Sequence, residues 1–344
     1  MNKILSIVIP TYNMEKYLER CLSSLLISDN EAFNALEVLV VNDGSKDKSS
    51  IIAHGFQDKF PAVFTIIDKP NGNYGSCINA ALKVAKGKYI KILDADDSFD
   101  RDGFSKFVEY INTVDVDMIL SDFDMVNSDG KVIRHHSYSY LPYEFYPMAR
   151  LNEVKEMWMH AVTYRTDNLR EIGYYQTEGI SYTDQEWIFL PVSTVSTFSY
   201  FPQTVYEYTV DRSGQTIDPA VFIRRIDDEI IGFKVMIDEY LKSVWPEDQY
   251  KYLTNRLLVR AGAIYSAFLI YYVDNLDLNK LVDLDRFLFG RSPELYRMIG
   301  NIKPPFKLIT YKYVNVWRKN NHQNNIVNFF LHVAKEIRRF LCRK

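Results

Sequence analysis

The chain has 344 residues, long enough for one large domain with an appendage or for two domains. Hydrophobic residues make up 47% and charged residues 25%, a mix that excludes a disordered chain, and the net charge of −3 argues against nucleic acid as a partner. Cys21, Cys77 and Cys342 are widely spaced, which excludes a disulfide framework or a cysteine metal site and favours a reducing compartment.

In chain order, Ile4 to Pro10 is a short apolar run stopped by proline. Apolar residues at helical spacing follow: Tyr17, Leu18, Cys21, Leu22 and Leu25. Leu36 to Val41 predicts a second buried strand, ending at the turn Asn42-Asp43-Gly44-Ser45. A polar helix comes next, then the strand-like run Ala62 to Asp68. The Gly/Asn-rich loop Asn71 to Gly75 leads into a helix through Val84. Lys88 to Leu93 predicts another strand, running straight into Asp94-Ala95-Asp96-Asp97. Strands alternating with helices and apolar on both faces predict an α/β fold with a mostly parallel sheet flanked by helices.

Beyond Asp122 the pattern loosens. A hairpin is expected around Ser128-Asp129-Gly130, then strand-like runs at Thr197 to Phe201 and Val205 to Val210. From Asp218 a helical stripe begins with Val221, Phe222, Ile226, Ile230, Phe233 and Ile237. The expected division is therefore a catalytic domain at 1–217 and a helical C-terminal region at 218–344. The N-terminus offers no secretory signal, and Ala261 to Val273 is shorter than the roughly 20 apolar residues of a spanning helix. A cytoplasmic protein is expected.

Ligands of open parallel sheets bind outside the carboxyl ends of the strands. Three polar clusters fall there: Pro10-Thr11-Tyr12-Asn13, Asn42-Asp43-Gly44-Ser45 and Asp94-Ala95-Asp96-Asp97. Three aspartates within one short turn repel one another, and burial adds to the cost. A divalent cation relieves both, because Mg²⁺ typically takes one or two carboxylates and completes its shell from water and substrate phosphates. The alternative is helix capping by Asp97 or Ser98. The Asn71-Gly72-Asn73-Tyr74-Gly75-Ser76 loop is neither a dinucleotide fingerprint nor a P-loop, but it can bring backbone and a helix N-terminus close to an anion.

The segments SIVIPTYNMEKYLERCLSSLL, EVLVVNDGSKDKS and NGNYGSCINAALKVAKGKYIKILDADD resemble glycosyltransferase family 2, an inverting family with the GT-A, Rossmann-like nucleotide-sugar fold. The match is close from Leu5 to Asp102 and looser to about residue 217. The resemblance implies a nucleotide-lining role for Pro10, Tyr12 and Asn13, and contact with the uracil edge for Asp43. It places Asn71, Gly72, Asn73, Gly75 and Ser76 near the ribose and diphosphate, although Asn73-Tyr74 departs from the commoner pattern. Asp94, Ala95 and Asp96 match the donor motif, with Asp96 as the metal ligand for Mn²⁺ or Mg²⁺ and Asp94 as a ribose or sugar contact. The family's acidic Glu-Asp pair falls on SYTDQEW, where Thr183 replaces Glu, so Asp184 is implied as catalytic base with Glu186 as second choice. Capping by Thr183 or Asp184 is the structural alternative. Arg212 resembles the residue that closes over the diphosphate.

The implied activity is single-sugar transfer from a UDP-sugar to a glycan, glycoprotein or lipid-linked acceptor. A non-catalytic partner of the same fold and a metal-dependent phosphohydrolase are the competing readings. His135 and His136 read as a solvent-exposed pair, and His160 as packed or facing the acceptor. Trp158, Tyr164, Tyr174, Tyr175 and Tyr182 offer either core packing or an acceptor platform. Lys335, Arg338, Arg339, Arg343 and Lys344 surround an apolar stripe from Ile326 to Leu341, which suits either peripheral contact with the inner face of a membrane or docking on preceding helices. A homo-oligomer is compatible with the sequence.

Overall fold

The computed structural model describes residues 2–210, 218–303 and 312–322. Two compact units are present: Met1–Gln215 with Glu239–Tyr252, and Thr216–Asp238 with Leu253–Lys344.

The first unit is built on a mixed sheet. Its strands are β1 (Leu5–Thr11), β2 (Leu36–Asn42), β3 (Phe64–Asp68), β4 (Tyr89–Ile92), β5 (Ser98–Phe99), β6 (Met118–Val126), β7 (Val132–His136), β8 (Phe145–Pro147), β9 (Val162–Arg165) and β10 (Thr197–Thr209). The main order is β3-β2-β1-β4-β9-β6-β10-β5, with β7 beside β6 and β8 beside β10. From β3 to β4 the sheet is wholly parallel, as the continuous apolar runs predict. β1 and β2 are buried along their whole length. Beyond β4 the character changes. β9 lies antiparallel between β4 and β6, and β10 runs parallel to β6.

The two strands expected at 197–210 form one long strand, β10. Its register to β6 shifts between Phe201 and Thr204 and again between Thr204 and Tyr206, so the apparent break in the sequence is an irregularity within a continuous strand. The expected hairpin turn appears between β6 and β7, where Gly130 takes φ 77°.

Two glycines are required by close backbone approach. A Cβ on Gly87 would lie 2.3 Å from the Ser6 nitrogen, so any side chain there would push β4 off β1. A Cβ on Gly75 would lie 2.1 Å from the Thr177 carbonyl oxygen, so glycine is needed where the helix Asn73–Val84 meets the 176–179 segment. Buried polar groups at the β1–β4 seam are paired: Ser6 donates to Glu37 at 2.6 Å and accepts from the Gly87 N–H at 2.8 Å.

The second unit is helical. It includes Pro219–Arg224, Leu278–Arg291, Pro293–Gly300 and Tyr313–Lys319. Its core holds Leu281, Leu284, Leu288, Tyr313 and Trp317, all fully buried. Asp285 accepts from the Arg318 Nε at 2.9 Å and from the Tyr265 hydroxyl at 2.5 Å. Breaking a buried pair leaves an uncompensated charge, so Asp285→Ala is expected to lower stability by about 3–5 kcal/mol. Denaturant unfolding followed by tryptophan fluorescence checks this, since Trp317 is buried in the same core.

Among the described residues, no helix is long and apolar enough to cross a membrane. The basic segment 335–344 and Cys342 lie outside the described residues.

Candidate active site

The site forms where β1, β2 and β4 end. Pro10 is buried in β1 opposite Val41, while Tyr12 is 46% exposed just beyond the strand. Asn13 has φ 55°. Its N–H donates to Ser45 Oγ at 3.0 Å, and its Oδ1 accepts from the Lys46 N–H at 2.7 Å. The β1 and β2 loops are therefore tied together by side chain to backbone bonds.

Asp43 is buried at the end of β2. Its Oδ1 accepts from Lys69 Nζ at 2.5 Å and from the Gly72 N–H at 2.9 Å, and its Oδ2 accepts from Asn71 Nδ2 at 3.0 Å. It thus joins β2 to the 69–76 segment. Ser76 Oγ accepts from Lys69 Nζ at 2.7 Å and donates to the Asn73 carbonyl at 2.6 Å. Asn73 starts the helix with φ 65°, and Tyr74 in the first turn reaches the aspartates.

The Tyr74 hydroxyl donates to Asp94 Oδ1 at 2.7 Å. Burial and the neighbouring Asp94 and Asp184 push this phenol's pKa well up, so it stays a donor. In the sequence Tyr74 stands out only as a departure from a family pattern; a phenol in the first turn of a helix beside an acidic cluster is the signal that identifies it. Tyr74→Phe is expected to leave the fold intact and lower kcat/KM for the donor by about 10-fold, the scale of a hydrogen bond to a charged group. Steady-state kinetics with varied nucleotide-sugar, the donor the family resemblance implies, checks this.

Asp94 and Asp96 are half-buried, and Ala95 between them is buried. Arg20 Nη2 donates to the Asp96 carbonyl at 2.6 Å and to Thr209 Oγ1 at 2.8 Å, tying this loop to the end of β10. Asp97 is buried; Tyr206 donates to its Oδ2 at 2.6 Å and the Thr209 N–H to its Oδ1 at 2.8 Å. Burial, Asp96 and Asp94 push the Asp97 carboxyl well up. Neither Asp97 nor Ser98 caps the next helix. Asp100 does, accepting from the Gly103 N–H at 2.7 Å.

Asp184 is half-buried at the start of the short helix Asp184–Trp187, and its Oδ2 accepts from Gln185 Nε2 at 2.9 Å. Thr183 stands at the N-cap without a side-chain cap bond; its Oγ1 accepts instead from Gln176 Nε2 at 3.0 Å. Glu186 is buried and accepts from the Thr177 N–H at 2.8 Å, which places it in the scaffold. Tyr208 on β10 registers the whole group: burial, then Asp97, Asp94, Asp96 and Asp184, push its pKa up. Arg212 lies outside the described residues.

Asp94, Asp97 and His160 each bring one ligand atom within 4.8 Å of the others. Two carboxylates in this position fit a divalent cation, which offsets their repulsion. Asp96 sits beside this group without belonging to it. No spacing in the sequence links His160 to the aspartates, and only the fold of the segment before β9 brings it in. Burial, with Lys91 and His136 nearby, pushes its pKa down to about 3, so the ring is neutral.

Of the pair His135–His136, expected to be exposed, only His136 departs from expectation. His136 is buried and stacked on Phe123 at 4.4 Å, because the β6–β7 pairing sets the two rings side by side. His135 is half-exposed but has an acidic partner, with Nδ1 2.7 Å from Asp124 Oδ1 across the β6–β7 ladder. Tyr164 and Tyr174 are core residues, Tyr175 is exposed, and Trp158 and Tyr182 are half-buried. Tyr182 has φ 62° and, with Asn13 and Asn73, places backbone strain around the site.

Residues 6–173 match the family model of glycosyl transferase family 2. It is 37% identical over 130 residues to an uncharacterized glycosyltransferase of Mycoplasma genitalium, covering 37% of this chain and 42% of that protein. It is 28% identical over 221 residues to the minor teichoic acid biosynthesis protein GgaB of Bacillus subtilis, covering 61% of this chain and 23% of that one. The chain thus spans less than half the length of these curated relatives. Its fold matches TarS of S. aureus with a TM-score of 0.68 at 18% identity, covering 98% of this chain and 91% of that one. TarS has also been solved with UDP-GlcNAc. The shared fold is of the GT-A type.

Proposed function

We propose that this protein is an inverting glycosyltransferase that moves one sugar from a UDP-sugar to an acceptor hydroxyl in surface-polysaccharide assembly. The observation that carries the reading is the acidic loop at the end of β4, where Asp94 and Asp97 each bring a carboxylate oxygen within 4.8 Å of the other and of His160. The family-model match and the UDP-GlcNAc complex of a protein of like fold support the donor class. The relative named for minor teichoic acid biosynthesis supports a polymer acceptor of that class.

In this reading Tyr12, Asn13 and Asp43 line the nucleoside side, and Asn71 to Ser76 border the diphosphate. Asp94 and Asp96 face the donor. A divalent cation held at this acidic loop, by Asp94 and Asp97 with Asp96 drawn in as the donor binds, would supply positive charge against the leaving diphosphate. Asp184 takes the proton from the acceptor hydroxyl. The oxygen then forms a bond to the anomeric carbon as the bond from that carbon to the diphosphate oxygen breaks, and UDP leaves with the electron pair. Attack from the face opposite the leaving group inverts the anomeric centre. Tyr74 holds Asp94 in place through its 2.7 Å bond.

The test is product stereochemistry: NMR of the glycoside formed from an α-linked UDP-sugar should reveal the β-anomer. Retention of configuration would reject the single displacement.

A further inference from the structure

We propose that His160 is a nitrogen ligand of the divalent cation and makes the site prefer Mn²⁺ over Mg²⁺. The inference rests on the metal-assisted donor reading above and deepens it. The ring comes from a different element than the aspartates, the short turn Met159–Ala161 that leads into β9. It is only 6% exposed, and its Nδ1 has no hydrogen-bond partner. A buried polar nitrogen left unpaired is costly, so it needs an explanation. One of its ring nitrogens lies within 4.8 Å of a carboxylate oxygen of both Asp94 and Asp97.

The surroundings fix the ring rather than absorb it. Tyr208 stacks on it at 4.4 Å, and Tyr206 meets it edge-on at 4.7 Å. Lys91 Nζ donates to its backbone carbonyl at 2.7 Å. β9 pairs with β4 only through Arg165 and Tyr164, so beyond that point Lys91 replaces the strand ladder and holds the turn. A phenylalanine would satisfy the stacking equally well; the nitrogen matters only if something binds it. Asp97 keeps accepting capacity beyond its bonds from Tyr206 and Thr209, because each carboxylate oxygen has two lone pairs.

Mg²⁺ binds through oxygen donors and holds its waters tightly; Mn²⁺ shares that liking for oxygen but, as a transition metal, also accepts an imidazole nitrogen. The full chain with Mn²⁺ and UDP should therefore show ¹⁴N coupling in electron spin-echo modulation spectra. His160→Asn should lose that coupling, lower Mn²⁺ affinity by about 10-fold or more, and reduce the preference for Mn²⁺ over Mg²⁺. Affinities are read by Mn²⁺ paramagnetic titration and Mg²⁺ competition, with circular dichroism checking the fold. Wild-type protein without ¹⁴N coupling overturns the inference, whether or not the variant folds. So does a folded His160→Asn that keeps the wild-type Mn²⁺ affinity and preference. The two readings fail separately. Wild-type protein that turns over UDP-sugar without nitrogen coupling sinks only the His160 assignment. Nitrogen coupling without binding of any UDP-sugar sinks the donor reading and leaves the metal site standing.

Discussion

Asp184→Asn is expected to bind UDP and cation as the wild type does and to lose about 10²- to 10⁴-fold in transfer rate, the range of a lost general base. The substitution is isosteric but cannot take a proton. Asp184 Oδ2 is held by Gln185, and the short helix that carries it is anchored by Trp187, which is fully buried. The loss should therefore appear in kcat and not in the fold. Calorimetry with UDP and Mn²⁺ measures binding, and UDP release in the presence of acceptor measures transfer. Full transfer by the variant would reject Asp184 as base. Glu186 offers no substitute, because it is buried and bound to the Thr177 N–H.

Asp96→Ala has a different expected signature. It removes a half-buried carboxylate from the acidic loop while the Asp96 backbone stays bound to Arg20. Cation-dependent UDP-sugar turnover should fall by about 10³-fold, corresponding to several kcal/mol of lost charge stabilisation. Metal-dependent UDP binding should weaken with it, and thermal stability should hold. Asp97→Ala is the informative contrast. Asp97 anchors Tyr206 and the Thr209 N–H, so its loss should lower the melting temperature as well as activity. An Asp96→Ala protein with undiminished metal-dependent turnover would remove this residue from the donor site.

The parallel half of the sheet is legible in the sequence because β1 and β2 are continuous apolar runs and each strand delivers its polar loop to the same rim. That is why Tyr12, Asp43 and Asp94 can be placed together from order alone. The mixed half is not legible. β9 is only Val162–Arg165, and its antiparallel place between β4 and β6 leaves no periodic trace in the chain. His160 enters the site through that insertion, so no spacing rule reaches it. Asp97 and Asp94 look alike as letters, yet one is bound on both oxygens and the other meets Tyr74. Their difference is set by β10, which crosses beside the loop and supplies Tyr206 and Thr209.

The most direct measurement is a UDP-release screen across UDP-sugars with the full chain, run with Mn²⁺ and again with a chelator. The expected result is turnover of one UDP-sugar that disappears on chelation and returns when Mn²⁺ is restored. Absence of both UDP release and UDP binding across the panel with Mn²⁺ present would contradict it.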